Sequence, residues 1–390
     1  GLFFSNFERI NRLHVWRWCG EDLKSWGAKV LEPPELSFGA DPDFLHVGIA
    51  ELQMLLIKPC LLLGVQVFFN AEFLGSVPGG DGWDILVGGA GGAQADGIGP
   101  AAPRRLRGVS LLVGADGPNS SVAKAHSLEM QENANFRRGA AVSLVANFPN
   151  RQTQAEKARR PFSLSRQFFL GVFEACERET GVALESVACY ISAQAHHFVM
   201  TPMRRSLVAL GALPPGAACD GEATAWAPDE AALAVACRAV AAFAWRPEEP
   251  VLPDEVLDAP LGAPSLVDFS RARRACTGLR VASGTASGSS GQASAAAPAR
   301  MLVGLCGDAL LEPFWPEGLG IVRGFMSAMD VSSTVALWAS GASEDEAKHH
   351  FAAAFAQLKT LGAQTRGSVL RPEEKAYSLA PSTRYRGLGG

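Results

Sequence analysis

No two cysteines stand at C-x-x-C spacing, and no histidines accompany a cysteine at the intervals a zinc site needs. The eight cysteines occur singly; Cys19, Cys60 and Cys306 lie in apolar surroundings, which suits reduced, buried thiols of a cytoplasmic chain. No metal is therefore expected. Positive charge is not in surplus either: 35 Lys and Arg against 39 Asp and Glu leave a net charge of −4. That balance excludes a protein held to nucleic acid by its overall charge. Two short basic clusters, Arg104-Arg105-Arg107 and Arg271-Arg273-Arg274, have no interleaved aromatics and read as solvated loops. Long apolar runs are missing as well. The most apolar stretch, LLIKPCLLLGVQVFF at 55–69, is fifteen residues interrupted by Lys58, Pro59 and Gln66, too short to span a bilayer. Finally, no G-x-G-x-x-G turn stands between a buried strand and an amphipathic helix. The glycines of GGAGGAQADG at 88–97 lie in a low-complexity stretch and do not replace it.

What remains is a 390-residue chain, 48% apolar, with enough mass for a large core organised as two lobes. Residues 19–30 and 47–63 read as helices, the second stopped by Gly64, although Pro59 inside it should cost about 3 kcal/mol. Alternation predicts a strand over 65–77. The Gly/Ala/Pro-rich stretch 79–108 reads as a largely disordered insertion on a hairpin, and 282–300 as a second low-complexity loop. Strands are expected over 139–148, 186–200 and 301–306, and helices over 228–244 and 318–340.

Two motifs carry chemistry. In LLVGADGPNSSVAK, Asp116 and Gly117 end a buried strand ahead of a helix start. In LCGDALLEPFWPEGLGIVRGF, Gly307-Asp308 ends another, followed by Trp315, Gly318 and Gly320 before a helix. An aspartate at the carboxyl end of a parallel strand lies where α/β sheets bind ligands, and can accept hydrogen bonds from sugar hydroxyls. Each motif alone is an ordinary turn. In this order they resemble the second and third fingerprints of the FAD-dependent aromatic hydroxylase class. The wording GDALLEPFWPEGLGIVRGFMSAMD, with FERINRLHVW, LGVQVFFNAEF, AVSLVANFPNRQT, HHFVMT, VDFSRA and YSLAPSTRYRG, resembles more narrowly the MICAL monooxygenase domain, whose members oxidise methionines of filamentous actin.

The resemblance implies an α/β fold: an FAD-binding, glutathione-reductase-type Rossmann-like domain, N-terminally incomplete for want of the glycine unit, with a β-sheet-based substrate subdomain. The parts expected are a partial FAD domain over 1–135, the β-rich subdomain over 136–281, a loop over 282–300, and a return to the FAD domain over 301–390. It implies FAD and NADPH as cofactors, oxygen transfer to a methionine sulfur through a flavin hydroperoxide, and actin as partner. Catalytic roles fall to Trp315 and Asn11. Cofactor contacts fall to Arg9, Asn11, Phe73, Asp116, Tyr190, Asp308, Gly318 and Gly320, with Tyr190 matching only if one residue is inserted before His197. On the residues alone, Asn11 equally caps a turn and Trp315 more often fills a core. Two other readings stay open: a hydroxylase of small aromatic substrates, and a catalytically inactive remnant of the fold.

Overall fold

A computed structural model describes residues 12–29, 31, 44–89, 104–132, 142–166, 168–218, 227–246, 248–269, 272–285, 298–312 and 320–361. The order is β1 (Arg12–Trp16), α1 (Arg17–Ser25), β2 (Phe44–Gly48), α2 (Ile49–Leu62), β3 (Ala71–Gly79), β4 (Gly82–Gly89), β5 (Arg104–Val109), β6 (Leu111–Gly114) and α3 (Ser121–Ala125). Then come β7 (Met130–Glu132), β8 (Val142–Pro149), α4 (Gln154–Ala158), β9 (Phe162–Ser165), α5 (Leu170–Thr180), β10 (Leu184–Ile191), β11 (Ala195–Pro202), α6 (Arg204–Ala209), α7 (Glu230–Ala242) and α8 (Asp254–Leu257). The chain continues through β12 (Ser265–Asp268), β13 (Arg273–Ala275), β14 (Leu279–Gly284), β15 (Ala299–Leu305), α9 (Gly320–Ala339) and α10 (Glu344–Lys359).

Two cores form. In the first, β15 lies between β14 and β6, antiparallel to one and parallel to the other. Helices α9 and α10 pack Val322, Met326, Val331, Phe351 and Phe355 into this core. The β3–β4–β5 sheet joins it through Trp83, whose indole N–H donates to the Ala299 carbonyl (3.1 Å). In strand β15, Met301, Leu302, Val303 and Leu305 are all buried, an apolar run of the kind a sheet covered on both faces requires.

The second core belongs to a five-stranded antiparallel sheet ordered β12-β8-β11-β10-β9. Phe162, Phe173 and Phe243 surround Trp245, with ring centroids 6.0, 5.4 and 5.0 Å from it. The buried indole directs its N–H to the Val240 carbonyl at the end of α7 (3.0 Å). The expected strand over 186–200 is a hairpin, β10 and β11, turned at 192–194.

The helix expected over 47–63 is present, and two other local expectations need correction. Helix α2 runs through Pro59 to Leu62, and Gly64 closes it in the left-handed region (φ 80°). The strand expected from residue 65 begins only at Ala71, because Asn70 turns left-handed (φ 53°) and breaks the alternation. The stretch 79–108 holds two strands, β4 and β5, of which only 90–103 lies outside the described residues. Consequently Arg104, Arg105 and Arg107 lie on an edge strand rather than a loop, with Arg104 stacked over Phe68 (4.6 Å). Arg273 and Arg274 likewise lie on a strand, β13, paired with β7.

Candidate functional site

The parallel ladder of β6 and β15 ends in register, Leu305 opposite Gly114, and the Cys306 N–H donates to the Gly114 carbonyl (3.0 Å). Both motifs therefore leave the sheet side by side at the carboxyl ends of adjacent parallel strands, where such sheets form their crevice. Gly114 is required by the closeness of this packing: a Cβ there would meet Leu305 Cδ2 at 2.8 Å and Val122 Cβ at 2.9 Å. Gly114→Ala is expected to cost about 1–3 kcal/mol by overpacking, measurable as a lower midpoint of denaturant unfolding.

Asp116 has a local task. Its carboxylate accepts from the Ser120 hydroxyl (2.6 Å), the Ser121 N–H (2.6 Å) and the Val122 N–H (3.2 Å), while Ser120 Oγ accepts from the Ala123 N–H (2.9 Å). The acid and the serine thus cap α3 together, satisfying N–H groups that a helix start leaves open. Gly117 turns left-handed (φ 81°) with open space where a side chain would stand.

Asp308 lies half-buried in a single 3-10 turn, Gly307–Ala309. Gly307 turns left-handed (φ 61°), and its carbonyl accepts from the N–H groups of Leu310 and Leu311 (3.0 Å each). Its own N–H donates to Ser327 Oγ on α9 (2.8 Å). From the other side, the Ala275 N–H on β13 donates to the Leu310 carbonyl (2.9 Å), and Arg274 forms a two-pronged ion pair with the buried Glu312. Asp308 is consequently held on a turn fixed from both α9 and β13.

The described part of helix α9 starts at Gly320, where a would-be Cβ would meet nothing within 4 Å. Beside Asp308, Cys306 is buried; burial and the nearby Asp116 push its thiol up to about 11, so it stays protonated and unreactive.

The other candidate positions are dispersed. Phe73 lies half-buried on β3, against the first core. Tyr190 is in the second sheet, buried, with its ring edge-on to His46 of β2 (5.3 Å, 67°). Burial, then Cys189, push its phenol above the ordinary value, so it stays neutral. Arg9, Asn11, Trp315 and Gly318 lie outside the described residues. Sequence reasoning missed Ser327, Arg274 and Glu312. Nothing in local spacing ties a serine on α9 or an arginine on β13 to the Gly-Asp turn. Among the described residues no group of His, Cys, Asp and Glu could hold a metal, and no helix is long and apolar enough to cross a membrane.

These turns fit a flavin dinucleotide in part. They offer a carboxylate for the sugar-alcohol chain and left-handed glycines without side chains. Asp116, already engaged with the start of α3, shapes the crevice.

Comparison with known proteins gives three results. The model of the Mical Rossman domain matches residues 140–220, a span within the second core. The chain is 31% identical over 385 residues to the F-actin monooxygenase Mical of Drosophila melanogaster, covering 97% of this chain and 7% of that protein. It is 32% identical over 396 residues to F-actin monooxygenase MICAL1 of Homo sapiens, covering 98% of this chain and 33% of that protein. The chain thus spans a third or less of these two relatives. In structure it is similar to CabE, an aromatic hydroxylase from angucycline biosynthesis (TM-score 0.54, 15% identity, 95% of this chain and 63% of that one). AlpK gives a TM-score of 0.50 at 17% identity, covering 98% of this chain and 63% of that one. At these identities the structural likeness concerns the fold alone.

Proposed function

Because this chain is a MICAL-family sequence, we propose that it binds FAD at the strand-end crevice and acts in a monooxygenase that oxidises methionine side chains of a protein, with NADPH as reductant and F-actin as substrate. The observation that carries the reading is the placement of Asp116 and Asp308 at the adjacent carboxyl ends of β6 and β15. FAD, when bound, supplies the redox and oxygen chemistry that protein side chains lack. The chain's own residues bind and orient. Asp308 accepts hydrogen bonds from the sugar-alcohol hydroxyls. Left-handed Gly307 lets the backbone come close. In the net reaction one oxygen atom of O2 goes to the methionine sulfur and the other leaves as water, with both electrons taken from the nicotinamide. The sulfoxide is polar where the thioether was apolar, which weakens a contact built on that methionine.

The test is to incubate the protein with FAD, NADPH and filamentous actin and to search actin peptides by mass spectrometry for one added oxygen on methionine. Sulfoxide that depends on NADPH and FAD supports the proposal. NADPH consumption with no sulfoxide above the enzyme-free control, or hydroxylation of a small phenol in its place, overturns it.

A further inference from the structure

We infer that Arg274 and its partner Glu312 are positioning residues for the Gly307–Asp308 turn, an inference that rests on the flavin reading above and assigns it two more side chains. Glu312 is almost wholly buried, 3% exposed, four positions beyond Asp308. A carboxylate so far from water persists only where cationic donors replace the water it loses. Arg274 does so with two parallel contacts: Nε donates to Glu312 Oε2 (2.8 Å) and Nη2 to Oε1. A planar guanidinium on a planar carboxylate fixes direction as well as distance, which a lysine ammonium does not. Arg274 is itself anchored. It lies on β13 opposite Gln131 of β7, and the next residue, Ala275, donates its N–H to the Leu310 carbonyl (2.9 Å). The ribbon therefore holds the outgoing limb of the turn at two points, one main-chain and one side-chain.

The incoming limb is held from the opposite side. The Gly307 N–H donates to Ser327 Oγ (2.8 Å), and the buried Ser327 donates on to the Gly324 carbonyl (3.0 Å) within α9. Between these clamps Gly307 keeps its left-handed backbone with no side-chain packing of its own. An aspartate on such a turn can point its carboxylate at one place only if both limbs are fixed. The ion pair supplies the limb that leads on toward residue 315, and orientation of a ligand-binding group within a fraction of an ångström is what affinity depends on.

The experiment compares the wild-type chain, Arg274→Lys and the double variant Arg274→Met/Glu312→Leu. The double variant removes both charges while keeping volume, so it folds even where Arg274→Met alone would strand a buried carboxylate. Three quantities are read: thermal unfolding, hydrogen exchange of residues 307–312 in flavin-free protein, and the FAD dissociation constant by fluorescence titration. The positioning role predicts an unchanged or raised melting temperature for the double variant, faster exchange in 307–312, and FAD binding weakened by about tenfold or more. Arg274→Lys is expected to keep the melting temperature and still lose most of the affinity. A double variant that keeps both wild-type exchange and wild-type affinity overturns the inference. If the wild-type protein itself binds no FAD, the flavin reading fails, and the exchange of 307–312 alone then decides whether the pair positions the turn.

Discussion

Asp308→Ala yields a folded protein that purifies without flavin and retains none after incubation with FAD at concentrations that saturate the wild type and removal of the free flavin by desalting. The substitution removes a half-buried carboxylate from a turn whose main-chain bonds, to Ser327, to Ala275 and within Gly307–Leu311, do not involve that side chain. The fold should survive it. What is lost is an acceptor for the ribityl hydroxyls. Hydrogen bonds to a charged group contribute about 1.5–3 kcal/mol each, so losing two weakens binding by about a hundredfold or more. Asp308→Asn, which keeps one acceptor oxygen and loses the charge, should fall between. Equilibrium dialysis of FAD against the three proteins measures the series. An alanine variant that binds as the wild type does would move the cofactor away from the Gly-Asp turn altogether.

Glu156→Gln is expected to destabilise the part of the molecule around α4, and its effect should depend on pH. Burial alone would push the Glu156 carboxyl up. Against that, it accepts hydrogen bonds from the Thr153 hydroxyl (2.6 Å), the Arg151 and Thr153 N–H groups (2.9 Å each) and His196 Nε2 (3.2 Å), and together these hold it down at about 2. The ordinary value is 4.5, so the folded state prefers the ionised form by about 3 kcal/mol. A folded value below the unfolded one means the contribution is fully present above pH 4.5 and is lost as pH falls toward 2. His196 works in the same direction. Burial first, then the Arg159 charge, lowers its value although Glu156 draws it up, so the folded state holds it neutral and loses stability once the unfolded chain can protonate it. Urea unfolding should therefore show Glu156→Gln about 3 kcal/mol less stable than wild type at neutral pH, with the two curves converging as pH falls through 4.5. A difference that stays constant with pH would mean the hydrogen-bond geometry, not the charge, holds the α4 region.

The parts of the molecule that could be read from the sequence are those where local chemistry and tertiary placement agree. Residues 301–305 of strand β15 are a buried apolar run, and α7 opens at Asp229, whose side chain accepts from the Ala232 N–H (2.8 Å). The Gly114-to-Asp116 and Gly307-to-Asp308 turns carry their glycines where the backbone turns left-handed or strands pack closely. Illegible were features set by partners distant in the chain. Asp116 looks like a ligand residue in sequence and in the structure caps the helix five residues on. Tyr190 meets His46 across 144 positions (190 − 46), which no periodicity announces. Arg274 reads as part of a basic loop because its acid, Glu312, lies 38 positions on, beyond the Gly307–Ala309 turn. The β4 and β5 strands were obscured by composition: glycine and alanine dominate the sequence between them, and β5 has three arginines that β propensity does not favour.

Titration of the purified chain with FAD, followed by the quenching of free-flavin fluorescence and checked by a cooperative thermal melt of the same sample, is the most direct test of the account. The account predicts saturable binding of one flavin per chain and a raised melting temperature in its presence, as expected for a ligand of the native state alone. A chain that melts cooperatively yet neither quenches the flavin nor gains stability from it would contradict the account, because the crevice at the ends of β6 and β15 would then be folded and unable to hold the cofactor.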